Sequence, residues 1–65
     1  MKEEIYSFIN ALDLSTLSED DKIQKVITTF SEQDLIDSMN NEYANLYVQG
    51  ILTSVEAIRY TVVNC

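Results

Sequence analysis

The sequence predicts an all-α protein: a small bundle of three helices, or four, with a long C-terminal helix that pairs with a second copy of itself. Three observations carry this. Apolar residues recur at offsets of 3, 4 and 7 along successive segments, which is the period of one helix face. The 65 residues include one Gly and no Pro, so little interrupts a helix, whereas an all-β chain needs several such turns. Two of the apolar segments are preceded by Ser, with an acid three positions on, the pattern of a helix start.

The first helix is predicted over residues 2–12, where Ile5, Phe8, Ile9 and Leu12 share a face. Glu3 and Glu4 lie in its first turn, where the helix dipole favours negative charge. A loop over residues 13–17 follows, with Leu14 and Leu17 expected beneath the core. The second helix is predicted over 19–30. Ser18 with Asp21 resembles a capping box, Ile23, Val26, Ile27 and Phe30 repeat the apolar spacing, and Lys22 and Lys25 are expected to face outward.

The third helix is predicted over 32–63, opening with Ser31 and Asp34. Phe30 before that cap and Leu35 at its fourth helical position have the spacing of a hydrophobic staple. Leu35, Ile36, Met39, Tyr43, Leu46 and Tyr47 continue the pattern. Two weak points interrupt it: the Asn residues around Asn40, which favour caps, and Gly50, which costs about 1 kcal/mol relative to Ala inside a helix. A break near 40 or near 50 is therefore expected as an alternative. An unbroken helix would span roughly 48 Å at 1.5 Å per residue, longer than a compact domain of this size. A strand over 57–63, where Ile58, Tyr60 and Val62 alternate with Arg59 and Thr61, is weighed as well, but no second strand or hairpin turn is found to pair with it.

The charge is unevenly placed. Formal net charge is -7, yet after Ala44 only Glu56 and Arg59 are charged. The apolar positions Ile51, Leu52, Val55, Ile58, Val62 and Val63 then spread round more than one helical stripe. Two short helices cannot easily cover such a segment on both sides, and a chain this small buries only about 60% of its unfolded surface. Self-association or partner docking is therefore expected there, with Tyr43, Tyr47, Ile51, Leu52, Val55 and Ile58 at the contact.

Chemistry finds little support. There is no His to activate the single Cys65, or Ser15, Ser18 or Ser31, as a nucleophile. Consecutive acids at a helix start splay into solvent and do not form a paired acid and base, and no alternating acids followed by Gly suggest a calcium loop. No catalytic residue, cofactor or metal is assigned. Four Lys and Arg supply too few phosphate contacts for direct nucleic-acid binding, and an anionic membrane surface would repel the chain. Neither a signal peptide nor a membrane-spanning run is read, so a cytoplasmic location is expected.

The expected function is that of a small acidic regulator or inhibitor, not an enzyme, which occupies the surface of a partner protein and forms a homodimer. An alternative is a nucleic-acid mimic whose acidic face, built from Glu19, Asp20, Asp21, Asp34 and Asp37, blocks a nucleic-acid-binding protein. A purely structural oligomerisation module is the other. In size and charge, rather than in any motif, the chain resembles the small acidic accessory proteins of phages and mobile elements.

Overall fold

A computed structural model describes residues 2–64, and all the regular secondary structure among them is α-helical. Five helices follow one another: α1 (Lys2–Asp13), α2 (Glu19–Thr29), α3 (Glu32–Ser38), α4 (Asn41–Val48) and α5 (Ser54–Val63). The all-α bundle is as expected, and α5 replaces the alternative strand. The single long C-terminal helix is not formed, because the chain breaks at both weak points. The molecule measures 29 × 22 × 20 Å, so a straight helix of about 48 Å could not lie within it.

Each break has a local cause. Met39 and Asn40 are both extended, and Asn40 then caps α4 by accepting the Tyr43 amide. Phe30 and Ser31 build the α2–α3 corner in the same way, an extended apolar residue followed by a cap, with Ser31 Oγ accepting the Asp34 amide. Both apolar residues of these corners pack inward: Met39 is buried and Phe30 lies against the core, its ring edge-on to Phe8 at 5.3 Å. The second break is a glycine turn. Gly50 has φ +80, and its N–H donates to the Tyr47 carbonyl while that of Ile51 donates to Leu46. This pair of bonds is the Schellman closure, which needs a left-handed residue that only Gly adopts cheaply. The chain restarts at Thr53, whose hydroxyl accepts the Glu56 amide while the Glu56 carboxylate accepts the Thr53 amide.

The core joins Ile5, Ile9 and Leu12 of α1, Val26 of α2, Leu35 of α3, Met39, and Val55, Ala57 and Ile58 of α5. Helix α5 is the central element and packs against each of the other four. That placement corrects two expected contact residues. Val55 and Ile58 are each 1% exposed and belong to the interior of one chain, because four short helices surround a segment that two could not. In the loop after α1, Leu17 is half-buried as expected, but Leu14 is 83% exposed. Ile27 also lies at the surface of α2. Lys22 does not face outward; its ammonium turns toward Asp13. Cys65 lies outside the described residues.

Two hydroxyl groups tie the α3–α4 corner to its neighbours. Tyr6 donates to the Ser38 carbonyl at 2.7 Å, and Thr61 accepts the Asn40 amide at 3.2 Å while donating to the Ala57 carbonyl.

Candidate functional site

The α1–α5 contact leaves a groove of about 300 Å³ on its outer side. Helix α1 contributes Tyr6, Ile9, Asn10 and Asp13, at offsets 0, 3, 4 and 7, and α5 contributes Ile58, Arg59, Val62 and Val63. The periodicity that buries Ile5, Ile9 and Leu12 thus carries an adjacent stripe of α1 to the groove. Ile9 and Ile58 are buried. Val62 and Val63 are 48% and 79% exposed, so the groove is open along α5. Tyr6 is held in place through its hydroxyl bond to Ser38.

An ion network lies in the lining of the groove. Arg59 donates through Nε to Asp13 Oδ2 at 3.0 Å, through Nη2 to Asp13 Oδ1, and through Nη1 to Glu19 Oε1 at 2.9 Å. Lys22 Nζ stands 3.8 Å from Asp13 Oδ1. The Arg59 hydrogen bonds hold the Asp13 carboxyl below its usual range against the opposing effect of partial burial, and Asp13 in turn raises the Arg59 guanidinium. One cation thereby ties the end of α1 and the start of α2 to the middle of α5. All three guanidinium nitrogens are engaged within the chain.

Of the six residues expected at an apolar contact, Val55 and Ile58 are buried and the other four lie outside the groove. Tyr43 is half-buried, its ring tilted against Tyr60 at 5.6 Å and its hydroxyl accepting from Asn64 Nδ2. Tyr47 and Leu52 are half-buried against the core, and burial, with the Glu32 charge adding to it, raises the Tyr47 hydroxyl. Ile51, in the turn after Gly50, is 63% exposed. Of the six, only Ile58 reaches the groove, as part of its lining.

The expected acidic face is divided between elements. Glu19, Asp20 and Asp21 occupy the first turn of α2, and Glu19 is drawn onto Arg59. Asp34 and Asp37 lie on α3, where Asp37 accepts from Gln33. Glu56 is spent on the α5 cap, and its carboxyl is lowered first by the Thr53 backbone bond and then by the Thr53 side chain.

Tyr6, Asn10, Asp13, Arg59, Val62 and Val63 were not singled out from the sequence as a site. One signal was present: Arg59 is the only cation after Lys25, and a lone cation in an apolar helix calls for a carboxylate. Nothing in a single chain says that this carboxylate is Asp13, 46 positions away.

Among the described residues, no group of three or more His, Cys, Asp or Glu is placed to hold a metal ion, and no helix is long and apolar enough to cross a membrane. No family model, curated protein or solved structure matches the chain.

Proposed function

We propose that this chain is a small acidic protein-binding module, without catalysis of its own, that regulates or inhibits a partner by occupying its surface, and that the α1–α5 groove is where the two dock. One observation carries the reading. The five helices already enclose a core, yet Val62 and Val63 remain in the open beside Tyr6 and Asn10 in a concave setting. Exposed aliphatic groups at a concavity gain from burial against a second protein, at about 25 cal/mol per Å² of apolar area removed from water.

Photo-crosslinking in an extract of the producing cells tests this. A label at Val63 should trap one discrete protein that a label at Gln24, on the exposed side of α2, does not reach. Equal labelling from both positions refutes the docking site.

The second reading, imitation of a nucleic-acid backbone, draws on the exposed carboxylates that have no cationic partner among the described residues, Asp20, Asp21 and Asp37 with them. It requires charge reversal at those acids to abolish binding, while polar substitution of Val62 and Val63 leaves it unchanged.

A further inference from the structure

We infer that α4 is a flap: residues 40–52 undock from α5 as one unit while the other four helices stay folded, and so uncover the side of α5 that carries Tyr60, Thr61 and Asn64. None of these three lines the groove, so the flap is a device separate from it.

Packing comes first. Helices α1, α2, α3 and α5 each bury at least one aliphatic side chain. Helix α4 buries none, and no buried core residue lies between 40 and 52. Tyr43, Ala44, Tyr47 and Leu52 are only partly buried against the core. Helix α4 packs chiefly against α5, whereas α1 packs on α2, α3 and α5, and each of α2 and α3 packs on both α1 and α5. Lifting α4 therefore leaves those four helices joined to one another, with every core residue among them or at Met39. Both ends of the flap are fixed. Before it, Met39 is buried and the Ser38 carbonyl accepts from Tyr6 at 2.7 Å. After it, Thr53 and Glu56 cap each other's amides, and Ser54 and Val55 are buried.

Hydrogen bonding then makes the unit detachable. Its caps are its own: Asn40 accepts the Tyr43 amide, and the Gly50 turn closes on the Tyr47 and Leu46 carbonyls. Among the described residues, two hydrogen bonds join it to α5. The Asn40 N–H donates to Thr61 Oγ1 at 3.2 Å, and Asn64 Nδ2 donates to the Tyr43 hydroxyl at 3.1 Å, beside the tilted contact of the Tyr43 and Tyr60 rings. Breaking them strands no buried polar group, the outcome that would make opening costly. Thr61 still donates to the Ala57 carbonyl and Asn64 to the Tyr60 carbonyl, while the Asn40 N–H and the Tyr43 hydroxyl turn to water. Segments held by few buried apolar contacts open below the free energy of global unfolding. Once undocked, a helix of eight residues is too short to persist in water, so its amides exchange.

Native-state hydrogen exchange of the full chain, followed by NMR across low urea concentrations, tests the flap. The amides of residues 44–48 should share one opening constant, at least about tenfold larger than that of residues 58–62, with a weaker dependence on urea. Ile5→Val then separates local from global opening. It removes one buried methyl group from α1, in packing that the opened form retains. Exchange at residues 58–62 should rise about fivefold, while that at residues 44–48 stays within about 1.5-fold of wild type. Equal constants and equal urea slopes in the two groups overturn the flap. A parallel rise of both groups in Ile5→Val overturns it as well. So does exchange that quickens residue by residue toward the ends of α4, which is fraying and not the movement of one unit.

Discussion

Replacing Arg59 with Met removes one guanidinium and keeps most of the aliphatic stem. Three donated hydrogen bonds are lost, two to Asp13 and one to Glu19. The Arg59 and Asp13 side chains are 30% and 34% exposed, so water screens part of their attraction. Exposed ion pairs contribute about 0.2–1 kcal/mol each, and a two-pronged Arg–carboxylate pair lies at the upper end. The expected destabilisation is therefore about 1–2 kcal/mol, eased by Lys22, which still faces Asp13. In a domain of this size each kcal/mol moves Tm by about 4–8 °C, so circular dichroism melts should fall by roughly 4–16 °C. A double-mutant cycle with Asp13→Asn should give a coupling of about 1 kcal/mol, and one with Glu19→Gln about half that.

Acid should close this gap. Hydrogen bonding to Arg59 holds Asp13 below its ordinary 3.8. A depressed carboxyl contributes stability above its unfolded value and loses it as pH falls through the folded one. The difference between wild type and Arg59→Met should thus be steady from neutral pH to about 4.5 and shrink beneath 3.8. A variant within about 0.3 kcal/mol of wild type at neutral pH, or a coupling to Asp13 no larger than to Glu42 on α4, would refute the network as a stabilising hub.

Further outcomes are expected elsewhere. Gly50→Ala should cost about 1 kcal/mol in urea unfolding, through its backbone angle alone, since nothing lies within 4 Å of an added Cβ; a cost near zero would mean that the turn relaxes. Ser54→Ala should be neutral or stabilising by up to about 1 kcal/mol, because the buried Ser54 hydroxyl has no hydrogen-bond partner, and a clear loss in the same assay would contradict this. Val55→Asp should unfold the chain, whereas Ile51→Asp should stay within about 0.5 kcal/mol of wild type; matching effects on the circular dichroism spectrum would place them wrongly. Sedimentation across a wide concentration range tests the expected homodimer, and a monomer mass at high concentration would overturn it.

What the sequence made legible was local. Ser18 and Ser31 with their acids announced the starts of α2 and α3, and Asn40 and Gly50 were already suspect as interruptions. Caps and left-handed turns act within a few residues, so their signatures lie side by side in the chain. Thr53 with Glu56 carries the same kind of signature, set inside an apolar run. Periodicity also placed Val55 and Ile58 on an apolar face, but it cannot say what covers that face. Burial by α1 to α4 depends on how four corners fold back in space, and so does the meeting of Asp13 with Arg59.

The position of α5 bears on when this chain acquires its fold. The helix that every other helix packs against is also the last of the five to be synthesised. A nascent chain lacking residues 54–63 has the side chains of α1 to α4 but none of Val55, Ala57 and Ile58 to close around. Such an intermediate should remain open to proteases and chaperones on the ribosome. A fragment that stops before Ser54 should therefore lack a cooperative thermal transition, whereas the full set of five helices should show one.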